Sequence, residues 1–143
     1  MKNRVVGYLI IIFLIATLLS CNSSPEKIKF RRYMVAGERL YELHCASCHM
    51  PDGRGFQKLY PPLAGQPFLM EEFERSICLI RYGSNDSLVI NDIQYTLPMP
   101  DLQLTDLDVA EIATFIYNSW GMEKGMIDVN EVITIVKDCA ARE

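Results

Sequence analysis

The sequence predicts an all-α domain built from four or five short helices, on the basis of one apolar stripe and two helix-start signals. Between residues 34 and 45 apolar positions recur every three or four residues, as on one face of a helix. Thr105 precedes Asp108 in a capping-box pattern, and Asp128 precedes Glu131 at the same spacing. With 143 residues, of which 50% are apolar and 22% charged, the chain suits one small globular domain.

The first 21 residues have the pattern of an export signal. Lys2 and Arg4 precede fifteen uncharged and mostly apolar residues, 5–19. As a helix this run would span roughly 23 Å, less than the ~30 Å hydrocarbon thickness, so an uncleaved membrane anchor is the weaker alternative. The run ends in Leu18-Leu19-Ser20-Cys21, which resembles a bacterial lipobox, where the chain is cut before a lipidated cysteine. We therefore predict a signal peptide over residues 1–20 and lipid on Cys21.

A lipidated Cys21 predicts an exported protein that is anchored by its lipid to the periplasmic face of the cell envelope. Asn22, which follows the cysteine, slightly favours the outer membrane. Residues 21–32 are then expected to form the lipidated N-terminus and a flexible tether. One folded domain should follow over residues 33–143.

Local signals assign the elements of this domain in chain order. Proline favours the first turn of a helix, glycine the end of one, and an adjacent Asn-Asp pair a tight turn. These signals predict a helix from Met34 into the cysteine pair, a loop at 50–66, a helix from Pro67 to Gly83, a small β-hairpin within 88–95, a helix from Thr105 to Gly121 and a short last helix after Asp128. The domain thus divides into a core, 33–121, and a C-terminal helical extension, 122–143.

The most specific motif is Cys45-Ala46-Ser47-Cys48-His49, a C-x-x-C-H sequence typical of c-type haem attachment. Two thiols at this spacing can bond to one edge of a porphyrin while the next imidazole reaches the iron. A thioredoxin-like redox pair is disfavoured, because a helical pattern precedes the motif and no βαβ pattern surrounds it. Half of a zinc site is disfavoured because the chain offers no second cysteine pair or histidine cluster. The motif therefore predicts one covalent haem c.

His49 is the expected proximal ligand of the iron, and His44, on the preceding helix, is expected to be structural. The second axial ligand must come from elsewhere in the chain, and methionine is the natural candidate in an electron-transfer haem. Met99 lies in Leu97-Pro98-Met99-Pro100, where two prolines stiffen an extended loop and lower the entropic cost of holding a weak bond. We therefore predict His49 and Met99 as the axial pair.

The chain resembles the class I, mono-haem c-type cytochromes over roughly residues 33–121. The resemblance rests on the C-x-x-C-H motif, Pro61-Pro62-Leu63-Ala64-Gly65, Met99-Pro100 and the helical segment from Thr105 to Trp120. It implies the cytochrome c fold wrapped around one haem, with the Pro61 carbonyl oriented toward the haem histidine. It also implies that the first and last core helices cross through a small residue, Gly37. The segment 84–97 and the extension after Gly121 depart from the minimal family pattern.

Two cysteines remain once lipid and haem are assigned. Cys78 and Cys139 form an even pair in an oxidising compartment, and Cys139 lies on the apolar stripe of the last helix. A disulfide bond between them would close a loop and stabilise the folded state by about 4 kcal/mol in the loop-entropy model. The alternative is two free, buried thiols.

These expectations converge on single-electron transfer rather than enzymatic turnover. With both axial positions filled by side chains, the iron has no open site, and a methionine ligand in an apolar crevice favours a positive reduction potential. The predicted crevice walls are Phe56, Leu59, Tyr60, Leu63, Phe73, Ile77, Ile80, Tyr95 and Phe115. Two alternatives stay open: a haem enzyme or gas sensor whose axial methionine dissociates, and a fixed subunit of a dehydrogenase or terminal oxidase complex.

The charge of the chain bears on its partners. Loss of Lys2 and Arg4 with the signal peptide changes the net charge from −4 to −6, which leaves little basic surface for nucleic-acid phosphates. We expect no nucleic-acid partner, a monomer, and weak, salt-sensitive association with redox partner proteins.

Overall fold

The computed structural model describes residues 24–140 together with Val6 and Tyr8, which are helical. Cys21 and most of the predicted signal peptide lie outside the described residues. The described part confirms a mostly helical domain with one small hairpin. Its elements are α1 (Pro25–His44), α2 (Ala46–His49), α3 (Pro67–Glu71), α4 (Phe73–Tyr82), β1 (Leu88–Ile90), β2 (Ile93–Tyr95), α5 (Asp106–Ile116) and α6 (Val129–Ala140).

Helix α1 begins earlier than the sequence patterns suggested. Ser24 caps it by accepting a hydrogen bond from the Lys27 amide, and Pro25 occupies the first turn, where its missing N–H costs nothing. Lys29 forms an ion pair with Asp128, just before α6, so the first turns are also held to the domain. The expectation of a flexible tether reaching residue 32 is therefore wrong for residues 25–32, which are helical.

The close crossing of α1 and α5 organises the domain. Gly37 is buried at the crossing, and a Cβ there would collide with the Glu111 carbonyl and lie 2.9 Å from Phe115 Cβ. On the same side of α1, the buried Tyr41 ring packs 5.3 Å from Phe115 and 5.4 Å from Trp120, measured between ring centroids. Glycine is therefore required at this point because the two helix backbones almost touch.

The helix expected from Pro67 to Gly83 is divided in two at Glu72, whose backbone leaves helical geometry. A continuous helix would offer the Leu69 carbonyl to the amide four residues on, but this carbonyl receives the buried Tyr117 hydroxyl at 2.6 Å. Burial raises the pKa of Tyr117 to about 12, which keeps its hydroxyl protonated as a donor. A tertiary hydrogen bond thus accompanies a break that local propensity does not signal.

The predicted hairpin is present within 88–95. Strands β1 and β2 pair antiparallel, with Leu88 opposite Tyr95 and Ile90 opposite Ile93. Asn91 and Asp92 form the turn with φ of 51° and 60°, the left-handed conformation that a two-residue hairpin turn requires. Ile90 and Tyr95 are buried, so the hairpin contributes one face to the core.

Helix α5 starts as predicted and ends early. Thr105 and Asp108 form a reciprocal capping box. The helix ends at Ile116 rather than near Gly121, because the side chains of Asn118 and Ser119 take the carbonyls of the last turn. Asn118 also bonds both backbone groups of Gly125, which fixes the connection toward the C-terminal extension.

The C-terminal extension packs against the core through α6. The buried side chains of α6 are Val132, Ile135, Val136 and Cys139. A disulfide bond joins Cys139 to Cys78 on α4, with a Cα–Cα distance of 5.9 Å across 61 positions in sequence. Before the helix, the buried Thr114 hydroxyl contacts the backbone N–H of Ile127 at 3.1 Å. The extension is therefore continuous with the domain. Within residues 24–140, no helix is both long and apolar enough to cross a bilayer.

We expect Gly37→Ala to destabilise the domain although alanine is the better helix former. The helix-propensity gain is about 1 kcal/mol, whereas overpacking a tight contact costs about 1–3 kcal/mol. Chemical denaturation followed by circular dichroism should show a lower midpoint for Gly37→Ala and an unchanged or higher one for Glu38→Ala, on the exposed side of the same turn. An unchanged midpoint for Gly37→Ala would contradict the close crossing.

Candidate functional site

The C-x-x-C-H motif forms a single compact turn at the end of α1. Cys45 joins α1 to α2, and its carbonyl accepts hydrogen bonds from the amides of Cys48, at 3.1 Å, and His49, at 2.9 Å. Both thiols and the imidazole therefore project from one turn of backbone. Burial, with a smaller contribution from Cys48, raises the pKa of the Cys45 thiol to about 11. Cys45 and Cys48 are free of disulfide bonds, as an attachment pair must be.

His49 is oriented by the backbone of the following loop. Its Nδ1 lies 2.9 Å from the Pro61 carbonyl oxygen, which can only accept, so Nδ1 carries the proton and Nε2 is left as the ligating nitrogen. Burial lowers the pKa of His49, although the bond to Pro61 opposes this shift. A neutral imidazole with one fixed tautomer results, which is the form that binds a metal.

The loop between His49 and Pro61 is held by its own backbone. The Gly55 amide donates to the His49 carbonyl at 3.0 Å, and the amides of Leu63 and Ala64 both donate to the Gly53 carbonyl. The Tyr41 hydroxyl on α1 donates to the Met50 carbonyl at 2.7 Å, where the chain leaves α2 with a positive φ. The loop is irregular but fully anchored, so the Pro61 carbonyl has a defined position.

Met99 is held by a second backbone contact. Ser84 and Met99 exchange two amide–carbonyl hydrogen bonds of 2.8 Å each. Gly83, which ends α4, has a φ of +71° and packs so closely that a Cβ would lie 2.7 Å from the Pro100 carbonyl carbon and would collide with the Met99 carbonyl. The end of α4 therefore fixes the methionine loop, and a glycine is required for the approach.

His49 and Met99 line the same crevice. A cavity of about 260 Å³ is lined by the C-x-x-C-H turn, Pro61, the hairpin and the Leu97–Pro100 segment. It borders a smaller, more apolar cavity of about 80 Å³, and Cys45, His49 and Met99 line both. Thiols on one turn, an imidazole and a thioether around an apolar crevice are a donor set that fits a covalently attached haem. The structure thus brings together Cys45, Cys48, His49, Pro61 and Met99.

Some of the predicted crevice walls lie elsewhere. Those that line the two cavities are Leu59, Tyr60, Leu63, Ile80 and Tyr95. Phe56 is 44% exposed and Ile77 is in the core, whereas Phe73 packs on Tyr117 and Phe115 packs on Tyr41. The assignment of these four to the crevice is wrong, because an apolar residue type does not say whether a side chain faces the cavity, the core or the solvent.

Several residues that line the cavities were not predicted from the sequence. They are Arg75, Leu79, Ser84, Leu88 and Leu102, and His44, expected to be structural, also borders the larger cavity. Arg75 and Leu79 are four positions apart on α4 and so share one helix face, a spacing that points both toward the crevice. Ser84 carries no such signal, since its role is a backbone pairing with Met99.

Comparison with known proteins agrees with this site. A family model described as cytochrome c matches residues 34–120. The chain is 31% identical over 88 residues to the cytochrome c subunit of the quinone alcohol dehydrogenase of Gluconobacter oxydans (strain 621H), which covers 60% of this chain and 18% of that subunit. It is 31% identical over 93 residues to cytochrome c-552 of Thermus thermophilus, which covers 62% of this chain and 70% of that protein. The chain therefore spans less than a fifth of the dehydrogenase subunit.

A second such subunit, from Gluconacetobacter polyoxogenes, is 32% identical over 89 residues, which covers 61% of this chain and 19% of that subunit. The matched residues, 34–120, contain the C-x-x-C-H turn, the Pro61 loop and the Met99 loop. Cys45 and Cys48 stand at the spacing that covalent attachment needs. The chain therefore belongs to the cytochrome c family of electron-transfer proteins, with haem c as its covalently bound cofactor.

Proposed function

We propose that this protein is a membrane-tethered carrier of single electrons in which His49 and Met99 are the two axial ligands. The observation that carries the proposal is that both side chains line one apolar crevice, on loops that are each fixed by backbone hydrogen bonds. When bound, haem c supplies a one-electron iron couple. The chain's own residues hold the haem and set its environment.

The chain contributes orientation and a low-polarity environment. The Pro61 carbonyl fixes the His49 tautomer, and the Ser84 pairing fixes the Met99 backbone. Because these contacts hold both ligands in place, little rearrangement accompanies a change of charge at the site, which favours fast electron exchange. A thioether ligand and apolar walls destabilise the more highly charged ferric state, so the reduction potential should be positive.

The membrane part of the proposal rests on the sequence. Residues 5–19 and the Leu18–Cys21 segment support export, removal of residues 1–20 and lipid on Cys21. The carrier would then work at the periplasmic face of the envelope, with the outer membrane slightly favoured by Asn22. A chain tethered in this way samples partners along the membrane surface at high local concentration.

The proposed partners are other redox proteins of the envelope. The carrier itself is proposed to be a monomer. Similarity to cytochrome c subunits of quinone alcohol dehydrogenases favours a dehydrogenase as the electron donor. The same similarity supports a second candidate, a fixed subunit of such a complex. Purification from membranes in mild detergent separates the two, since a mobile carrier leaves the column as a monomer and a fixed subunit leaves with a large partner.

Met99→Ala should abolish the far-red absorption band that a methionine sulfur bound to ferric haem produces. The sharp reduced α band typical of haem c should persist, because Cys45, Cys48 and His49 are unchanged. Met70→Ala is the matched control, since Met70 is 48% exposed on α3 and should leave the band intact. Persistence of the far-red band in Met99→Ala would exclude Met99 as the ligand.

Gly83→Ala should weaken the far-red band without touching any ligand. The new Cβ would collide with the Met99 carbonyl and displace the loop that presents the thioether. Gly65→Ala is the control: Gly65 also has a positive φ, but its Cβ would meet no atom within 4 Å. Equal spectra for the two variants would show that the contact between Gly83 and Met99 does not position the ligand.

Variants of the two cysteine pairs should differ in their effect on haem attachment. After acid–acetone extraction, Cys45→Ser with Cys48→Ser should release its haem, because both thioether bonds are lost. Cys78→Ser with Cys139→Ser should retain haem on the protein and instead lower the unfolding midpoint, because the disulfide is lost. Haem retained by the first variant would contradict the assignment of the attachment pair.

A further inference from the structure

The N-terminal half of α1 carries an exposed cluster of positive charge in an acidic protein. Four of the chain's fourteen Lys and Arg residues lie between residues 27 and 32, and no acidic residue occurs between Glu26 and Glu38. The clustering is notable because the chain as a whole has a net charge of −4. A negative domain is repelled by a negative surface unless its positive charges are gathered on one side.

Helical geometry sorts these residues onto two sides. The inward side bears the buried Tyr33 and Gly37, and Lys29, whose ammonium is paired with Asp128. The outward side bears Lys27, Ile28, Arg31, Arg32 and Val35, and all five are exposed. This set, termed the basic face, follows the i, i+1, i+4, i+5, i+8 spacing of one helix side. Glu26 lies on the opposite side.

The basic face combines cations with exposed aliphatic side chains. Ile28 is 42% and Val35 is 59% exposed, so both side chains are accessible beside the three cations. The three cations can pair with anionic headgroups, and the two aliphatic side chains beside them can insert at a membrane interface. Lys and Arg have long side chains, so their charged ends can reach the headgroup phosphates while the aliphatic side chains contact the acyl chains below.

The position of the face in the chain indicates what it meets. Ser24, where α1 is capped, is three residues from Cys21 and five from the apolar run 5–19. Whether the chain is held by lipid on Cys21 or by that run, the bilayer surface lies within a few residues of the basic face. The short stretch between Cys21 and Ser24 therefore keeps the basic face close to the membrane.

We propose that the basic face of α1 docks on a bilayer surface rich in anionic phospholipid and so orients the domain. The inference rests on the proposed tethering and goes beyond it, because a tether alone leaves orientation free. Basic residues near an anionic surface favour docking, so the three cations shift the docked-to-free ratio on the order of 100-fold. Docking leaves the crevice accessible, because His44, which borders it, lies at the far end of α1.

Polarised absorption of full-length, haem-loaded protein on supported bilayers tests the proposal. The Soret band is dichroic when the domain is held at a fixed angle and isotropic when it tumbles on its tether. We expect dichroism on phosphatidylcholine mixed with phosphatidylglycerol, and none on phosphatidylcholine alone. High salt should abolish the dichroism, since the Debye length falls from about 30 Å at 0.01 M to about 3 Å at 1 M.

Two charge-reversal variants make the test specific. Lys27→Glu with Arg31→Glu and Arg32→Glu should lose the dichroism and keep the α band of wild type. The matched control is Arg54→Glu with Lys58→Glu and Lys137→Glu, which changes the net charge equally at exposed positions elsewhere. This control should keep most of the dichroism.

The outcomes separate docking from tethering. Retention on neutral phosphatidylcholine bilayers reports the tether, and dichroism on anionic bilayers reports docking. Retained protein with equal dichroism on both bilayers, or in both variants, would overturn docking and leave the basic face for an acidic partner protein. Protein that washes off neutral bilayers but stays, dichroic, on anionic ones would overturn the tether and support docking. Protein that washes off both would overturn both.

Discussion

The contact between the backbones of α1 and α5 at Gly37 is the constraint on which the rest of the structure depends. Because no side chain separates the helices there, Tyr41 is brought against Phe115 and Trp120, and α1 is aimed so that its end delivers the C-x-x-C-H turn to the crevice. The same helix carries the basic face at its other end. One close approach thus sets the positions of the attachment site and of the surface that we propose meets the membrane.

Backbone groups, more than side chains, build the site. The Pro61 carbonyl orients His49, and the amide and carbonyl of Ser84 hold Met99, so both ligand loops are irregular yet defined. Each buried polar group in such a loop must find a partner, and this requirement fixes the loops as firmly as regular structure would. The disulfide between α4 and α6 supports the same arrangement, since α4 lines the crevice and ends at Gly83.

Local signals in the sequence were sufficient for features that depend on neighbouring residues. The motif turn, the Asn91-Asp92 hairpin and the Thr105 capping box are all determined within a few positions. The early start of α1 also has a local signal, because Ser24 is a good N-cap and Pro25 favours a first helical turn. The predicted tether over residues 21–32 left this signal unused. The break at Glu72 and the choice of crevice walls were not predictable, because both depend on contacts between distant segments, such as Tyr117 with Leu69.

A redox titration of the full-length, haem-loaded protein, followed by absorption with and without carbon monoxide, tests the central claim most directly. If His49 and Met99 fill both axial positions, the titration should give a single one-electron transition at a positive potential, unchanged by carbon monoxide. A negative potential would contradict the His49–Met99 pair, and a carbon monoxide-induced shift of the reduced Soret band would show an open iron. The protein would then be a ligand-binding haem protein rather than a dedicated electron carrier.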